Sequence, residues 1–176
     1  MQKDIIAELT SKDDKYACAI MDEIVSESMD TDKWYTCFDD FASLLNHPKS
    51  LVRNRALHIL AANARWDNEN RFDLIISDFL THVTDEKPIT ARQCIKALAQ
   101  VGVAKPQYIQ RILTCFQQAD LSIYKDSMRS LIEKDMVLLQ CGVSQLYHQA
   151  HRKVRSDRCG VRQASQGDRA SLHEPL

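Results

Sequence analysis

Glycine and proline are scarce in this chain of 176 residues, with 4 of each, and aromatic residues make up only 7%. So few punctuating residues argue against a turn-rich sandwich or barrel, and strict apolar–polar alternation is nowhere sustained. No uncharged apolar run approaches the roughly 20 residues of a membrane span. The first residues, MQKDIIAEL, carry acidic groups where a secretory leader would carry an apolar block. A soluble, cytoplasmic protein is expected. The 6 cysteines form no CxxC and no local pair with histidine. Disulfides and structural zinc are therefore not expected, and Cys18, Cys37, Cys94 and Cys115 read as small buried side chains of a reducing compartment. No glycine-rich phosphate loop, nucleophile elbow or spaced carboxylate pair occurs. The chain is expected to be no enzyme and to need no cofactor or metal.

What the sequence does contain is apolar residues at helical spacing. Four segments repeat one pattern of an apolar helix, a short polar corner and a second helix. Their corners are ELTSKDDKYACAI, LLNHPKSLVRNRALHIL, HVTDEKPITARQCIKAL and CFQQADLSIYKDSMRSLI. Leu9, Leu45, Val83 and Phe116 close the first helix of each pair, at steps of 36, 38 and 33 residues. Carrying those steps into the second helices aligns Ile24, Leu60, Leu98 and Leu131. The first helices carry stripes such as Trp34, Phe38, Phe41 and Leu45, or Phe72, Ile76, Phe79 and Val83. A single hairpin cannot bury such a stripe, whereas stacked hairpins share one continuous core. The expected fold is all-α: a right-handed α-α superhelix of about four HEAT or armadillo-like helical hairpins over residues 1–140. Asp30 or Thr31, Asp67 and Asp85 are candidate helix caps, and Pro48, Pro88 and Pro106 fall in or just before first turns.

Charge divides the chain differently. Residues 1–140 hold 17 Lys/Arg against 21 Asp/Glu, whereas residues 141–176 hold 6 against 3. The second part has scarcely an aliphatic stripe and reads as a basic, disordered C-terminal tail.

The segments LVRNRALHILAANARWDNENRFD, HVTDEKPITARQCIKALAQV and YKDSMRSLIEKD together resemble a family of small bacterial HEAT-repeat proteins often labelled "SufBD protein". ITARQCIKAL is the most specific element, and the resemblance covers roughly residues 1–140. It implies a HEAT-repeat fold without an established activity, and its label suggests an accessory role in iron–sulfur cluster assembly.

The candidate site follows from the repeat. Asn54 and His58 lie on the outward face of one second helix, and the same steps place Arg92 and Lys96, then Lys125 and Arg129, at matching positions. Cys18 and Asp22 are the first-hairpin counterparts. In a HEAT superhelix these residues line the concave surface, where the cations suit a protein partner with an acidic segment or, as the alternative, a nucleic-acid backbone. The ordinary explanation is a solvated face whose cations pair with neighbours such as Asp126 or Glu133. Arg65 and Trp66, beside Asp67, would sit at one rim of the face. That trio is similar to the aromatic, Arg and Asp groups of HEAT-like DNA glycosylases, but a helix cap with a packed Trp accounts for it equally.

Overall fold

The computed structural model describes residues 4–142, which contain helices and no strand. All but the first two residues of the basic segment 141–176 lie outside that range. The helices are α1 (Ile5–Leu9), α2 (Asp14–Asp30), α3 (Phe38–Ser43), α4 (Ser50–Asn63), α5 (Phe72–Thr81), α6 (Pro88–Ala104), α7 (Ile109–Gln118) and α8 (126–142). Short 3₁₀ turns lead into α3 and α7 and follow α3, α4 and α5. Among the described residues no helix is long and apolar enough to cross a membrane.

The corners explain where the second helices begin. Asp13, His47, Asp85 and Asp120 each accept a hydrogen bond from the backbone N–H two residues ahead, at 3.1, 3.0, 2.9 and 2.9 Å. A side-chain acceptor satisfying the amide two residues on turns the chain tightly without glycine. Pro88 is the first residue of α6 and Pro106 opens the turn before α7, positions where a missing N–H removes no helical bond.

The capping expectations fare unevenly. Asp67 accepts from the amides of Arg71 (2.7 Å) and Phe72 (3.1 Å), so it does serve the start of α5. Asp85 forms the corner turn rather than the cap, because α6 is preceded by Lys87, whose side chain makes no capping bond. Asp30 lies inside α2, and the Thr31 hydroxyl donates back to Glu27 O, so neither residue caps the helix that follows.

The second helices α2, α4 and α6 pack side by side in sequence order. Two cross-links show that neighbours run parallel. Arg55 and Lys49, near the start of α4, both reach Asp14 at the start of α2, while Asn63 at the end of α4 donates to Ser28 near the end of α2 (3.0 Å). The first helices are joined by rings: Phe38 meets Phe72 at 5.7 Å between centroids, and Phe72 meets Tyr108 at 6.0 Å. Phe38, Phe41, Phe72, Phe79, Leu57, Leu60 and Ile95 are all fully buried between these rows.

Burial fixes the register of the second helices. Val52, Ala56, Leu60 and Asn63 of α4 match Thr90, Cys94, Leu98 and Val101 of α6, all buried, as the repeat step predicts. In α8 the buried residues are Ile132, Met136 and Leu139, whereas Leu131 is 40% exposed. The fourth helix is therefore set one residue later than the spacing implied. The first is likewise set one residue later, because Ala17, Ile24 and Ser28 match Val52, Ile59 and Asn63.

Three of the four cysteine positions also differ from the expected burial. Cys94 is buried and Cys115 half-buried, their thiols directed at the carbonyls of Phe79 and Leu80, and burial raises the pKa of both. Cys37 is only half-buried, and Cys18 is exposed because it falls on the outward face of α2. A maleimide probe should therefore label Cys18 and Cys141 in the folded protein well before Cys94, as peptide mapping by mass spectrometry will show; rapid labelling of Cys94 would contradict this packing.

Candidate functional site

In the corrected register, equivalent outward positions of the second helices form rows across the molecule. One row is Ala19, Asn54, Arg92 and Asp126, and the next is Glu23, His58, Lys96 and Ser130. The cationic ladder thus holds Arg92 and Lys96 in the third pair but does not continue to Lys125 and Arg129 in the fourth. Cys18 and Asp22 likewise give way to Ala19 and Glu23 in the first.

The cations themselves are largely engaged. Arg92 donates through Nε to Asp135 Oδ2 at 2.5 Å and through Nη2 to Oδ1 at 3.3 Å, clamping α6 to α8. Arg129 pairs with Asp126 at 2.7 Å and leans over the carbonyl of Tyr124. These are the pairings expected of a solvated face. Lys96 and Lys125 are exposed and make no ion pair among the described residues. His58 contacts Gln93, and burial pulls its pKa below the ordinary 6.5, so it is uncharged at neutral pH. The Oδ1 atom of Asn54 is buried without a partner.

Arg65 and Trp66 have a structural task. Arg65 Nη1 donates to Met29 O at 2.6 Å and Trp66 Nε1 to Ser28 O at 2.7 Å. Together they satisfy the last carbonyls of α2, which have no partner within their own helix. Asp67 is turned away from this rim, buried among Tyr35, Lys105 and the start of α5. The trio therefore does not converge on one open site.

The second helices also expose a row of apolar residues that helical spacing alone does not single out. Tyr16, Leu51, Ile89 and Ile123 occupy equivalent positions at or just before the first turns of α2, α4, α6 and α8, and they are 43, 43, 62 and 58% exposed. The signal was present in the sequence, since an apolar residue recurs at that position in all four corners. It was masked because exposed and buried apolar residues look alike until a register is fixed. Scattered single exposed apolar residues are ordinary, whereas here one recurs at the same position in each of the four pairs.

Between α6 and α8 the face opens into a groove of about 320 Å³ lined by Ile95, Ala99, Leu138 and Leu139, with Lys96 and Asp135 also contributing. Leu138 is 66% exposed.

The strongly buried ionic groups are committed elsewhere. Asp67 joins Tyr35, Lys105 and α5, while Asp85 joins Arg53, His82 and the corner before α6. Among the described residues no group of three or more His, Cys, Asp or Glu side chains is placed to hold a metal ion. Comparison of the chain with protein-family models, with curated proteins and with solved structures found no match.

Proposed function

We propose that the chain is a non-catalytic adaptor, built as a right-handed superhelix of about four HEAT-like hairpins, that docks a protein partner along its second-helix face in the cytoplasm. The observation that carries this reading is the apolar row Tyr16, Leu51, Ile89 and Ile123, exposed once in each helix pair. Adjacent packed helices lie about 8–10 Å apart, so the row presents apolar side chains at regular intervals over roughly 30 Å. Burying them against a partner supplies a driving force of about 25 cal/mol per Å² of apolar surface. The resemblance to bacterial HEAT-repeat proteins agrees with this reading, and an iron–sulfur assembly protein is one partner that its label suggests.

Nucleic acid fits the face less well. Affinity for a phosphate backbone grows with the number of phosphates neutralised. Here Arg92 and Arg129 already hold carboxylates, and residues 1–140 carry a net charge of −4.

The reading is tested by affinity capture from a nuclease-treated lysate of the source organism, comparing the wild type with Leu51→Glu/Ile89→Glu. Both residues are exposed, so the melting temperature should stay within a few degrees, while capture of a defined partner should fall at least tenfold. Equal capture by the variant would remove the docking face. Capture lost on nuclease treatment alone would transfer the face to nucleic acid.

A further inference from the structure

We infer that the groove between α6 and α8 seats an aliphatic or aromatic side chain of the docked partner, with a carboxylate of that partner beside it held by Lys96. The inference rests on the docking reading above and specifies the chemistry of its anchor.

Four of the six lining residues, Ile95, Ala99, Leu138 and Leu139, are apolar, and about 320 Å³ has room for one large side chain. That volume falls near the lower limit, about 300 Å³, of pockets that take small ligands. Ala99 lines the groove, and its small side chain leaves room between the two helices. Leu138 stands largely exposed at its edge, so an incoming apolar group would cover surface that now faces water.

Charge selects what accompanies that group. Asp135, the carboxylate lining the groove, is 13% exposed and already held by both the Nε and Nη2 atoms of Arg92. Its charge is therefore balanced, and Lys96 remains as the cation in excess. Lys96 is exposed and unpaired among the described residues. A ligand with an apolar group and no charge leaves that ammonium unused, and a cationic ligand is repelled by it. An acidic residue adjacent to the apolar anchor satisfies both halves of the site.

The test uses the full chain with labelled Ile, Leu and Val methyl groups, titrated with N-acetyl-L-phenylalaninate and, separately, with the uncharged N-acetyl-L-phenylalaninamide. The methyl signals of Ile95, Leu138 and Leu139 should move with the carboxylate probe. The amide should bind about three- to fivefold more weakly, as expected for one solvent-exposed ion pair. Lys96→Gln should erase that difference, and filling the groove with Ala99→Phe should abolish the shifts with both probes. Equal binding of the two probes to the wild type, shifts confined to other methyl groups, or unchanged binding in Ala99→Phe would overturn the inference. Movement of signals from residues 143–176 in probe-free Ala99→Phe would make the chain's own C-terminal segment the occupant and overturn it as well. Failure here, with capture still lost in Leu51→Glu/Ile89→Glu, removes the groove and leaves the docking face standing.

Discussion

Asp67→Ala should lower stability by about 3–5 kcal/mol, the range for breaking a buried ion pair from one side. The carboxylate is 2% exposed and collects four donors: the Tyr35 hydroxyl at 2.7 Å, Lys105 Nζ at 3.1 Å and the amides of Arg71 and Phe72. Lys105 also donates to the backbone carbonyl of Asp67 and, at 3.4 Å, to Asn70 Oδ1. Asn70 adopts φ 57°, a left-handed conformation that Asn tolerates, at the bend between Asp67 and the amides of Arg71 and Phe72 that return to it. Alanine leaves the Lys105 ammonium buried without its counter-charge. Asp67→Ala/Lys105→Met should recover part of the loss, and urea unfolding of the two variants measures the difference; no recovery would assign the loss to the α5 amides instead.

Arg53→Met should cost about as much, about 3–5 kcal/mol, because Asp85 is then left buried without its cation. Both guanidinium–carboxylate bonds are 2.8 Å, and Arg53 and Asp85 are each 7% exposed. Arg53 also donates to the carbonyls of His47 and Pro48, so it fastens the corner before α4 to the corner before α6. The Tyr124 hydroxyl bonds Asp85 O, and burial, with the nearby Asp85 charge, lifts its own pKa to about 12. One short segment therefore ties the second, third and fourth helix pairs together.

The loss should depend on pH in a defined direction. Burial alone would raise the pKa of Asp85, but hydrogen bonds from Arg53, Lys87 N and His82 outweigh it and hold the carboxyl below its ordinary 3.8. Asp67 behaves likewise: burial raises it, and the bonds from Tyr35, Lys105 and the α5 amides lower it further than burial lifts it. A depressed carboxyl contributes stability that is complete above the ordinary value of 3.8 and is lost as pH falls through the folded value. Without Arg53, burial dominates and Asp85 takes up a proton more readily. The gap in melting temperature between wild type and Arg53→Met should then be widest near neutrality and narrow toward pH 4. A gap independent of pH would show that packing of the arginine stem, rather than its charge, carries the loss.

Much of this architecture was legible in the sequence. The α4 and α6 patterns superimpose residue for residue, and Pro88 and the polar corners mark where second helices begin. The fourth pair was misplaced because Leu131 and Ile132 are adjacent and both apolar, so periodicity could not choose between them; burial of Ile132 does. That single step moved Lys125 and Arg129 off the row of Arg92 and Lys96. The pairing of Arg92 with Asp135 was also hidden, since the two residues lie on different helices and meet only after α6 and α8 pack. The same holds for Asp67, whose partners come from three separated segments. Arg65 and Trp66 looked like a binding rim because nothing in their local sequence reveals that α2 ends against them.

The most direct test of the docking face is site-specific photocrosslinking in cells of the source organism, with a photoreactive residue at position 51, 89 or 74. Leu51 and Ile89 belong to the second-helix row, whereas Leu74 is 82% exposed on α5, a first helix. The account predicts one discrete protein adduct shared by positions 51 and 89 and absent from position 74. The same adducts from all three positions, or an adduct from position 74 alone, would contradict it.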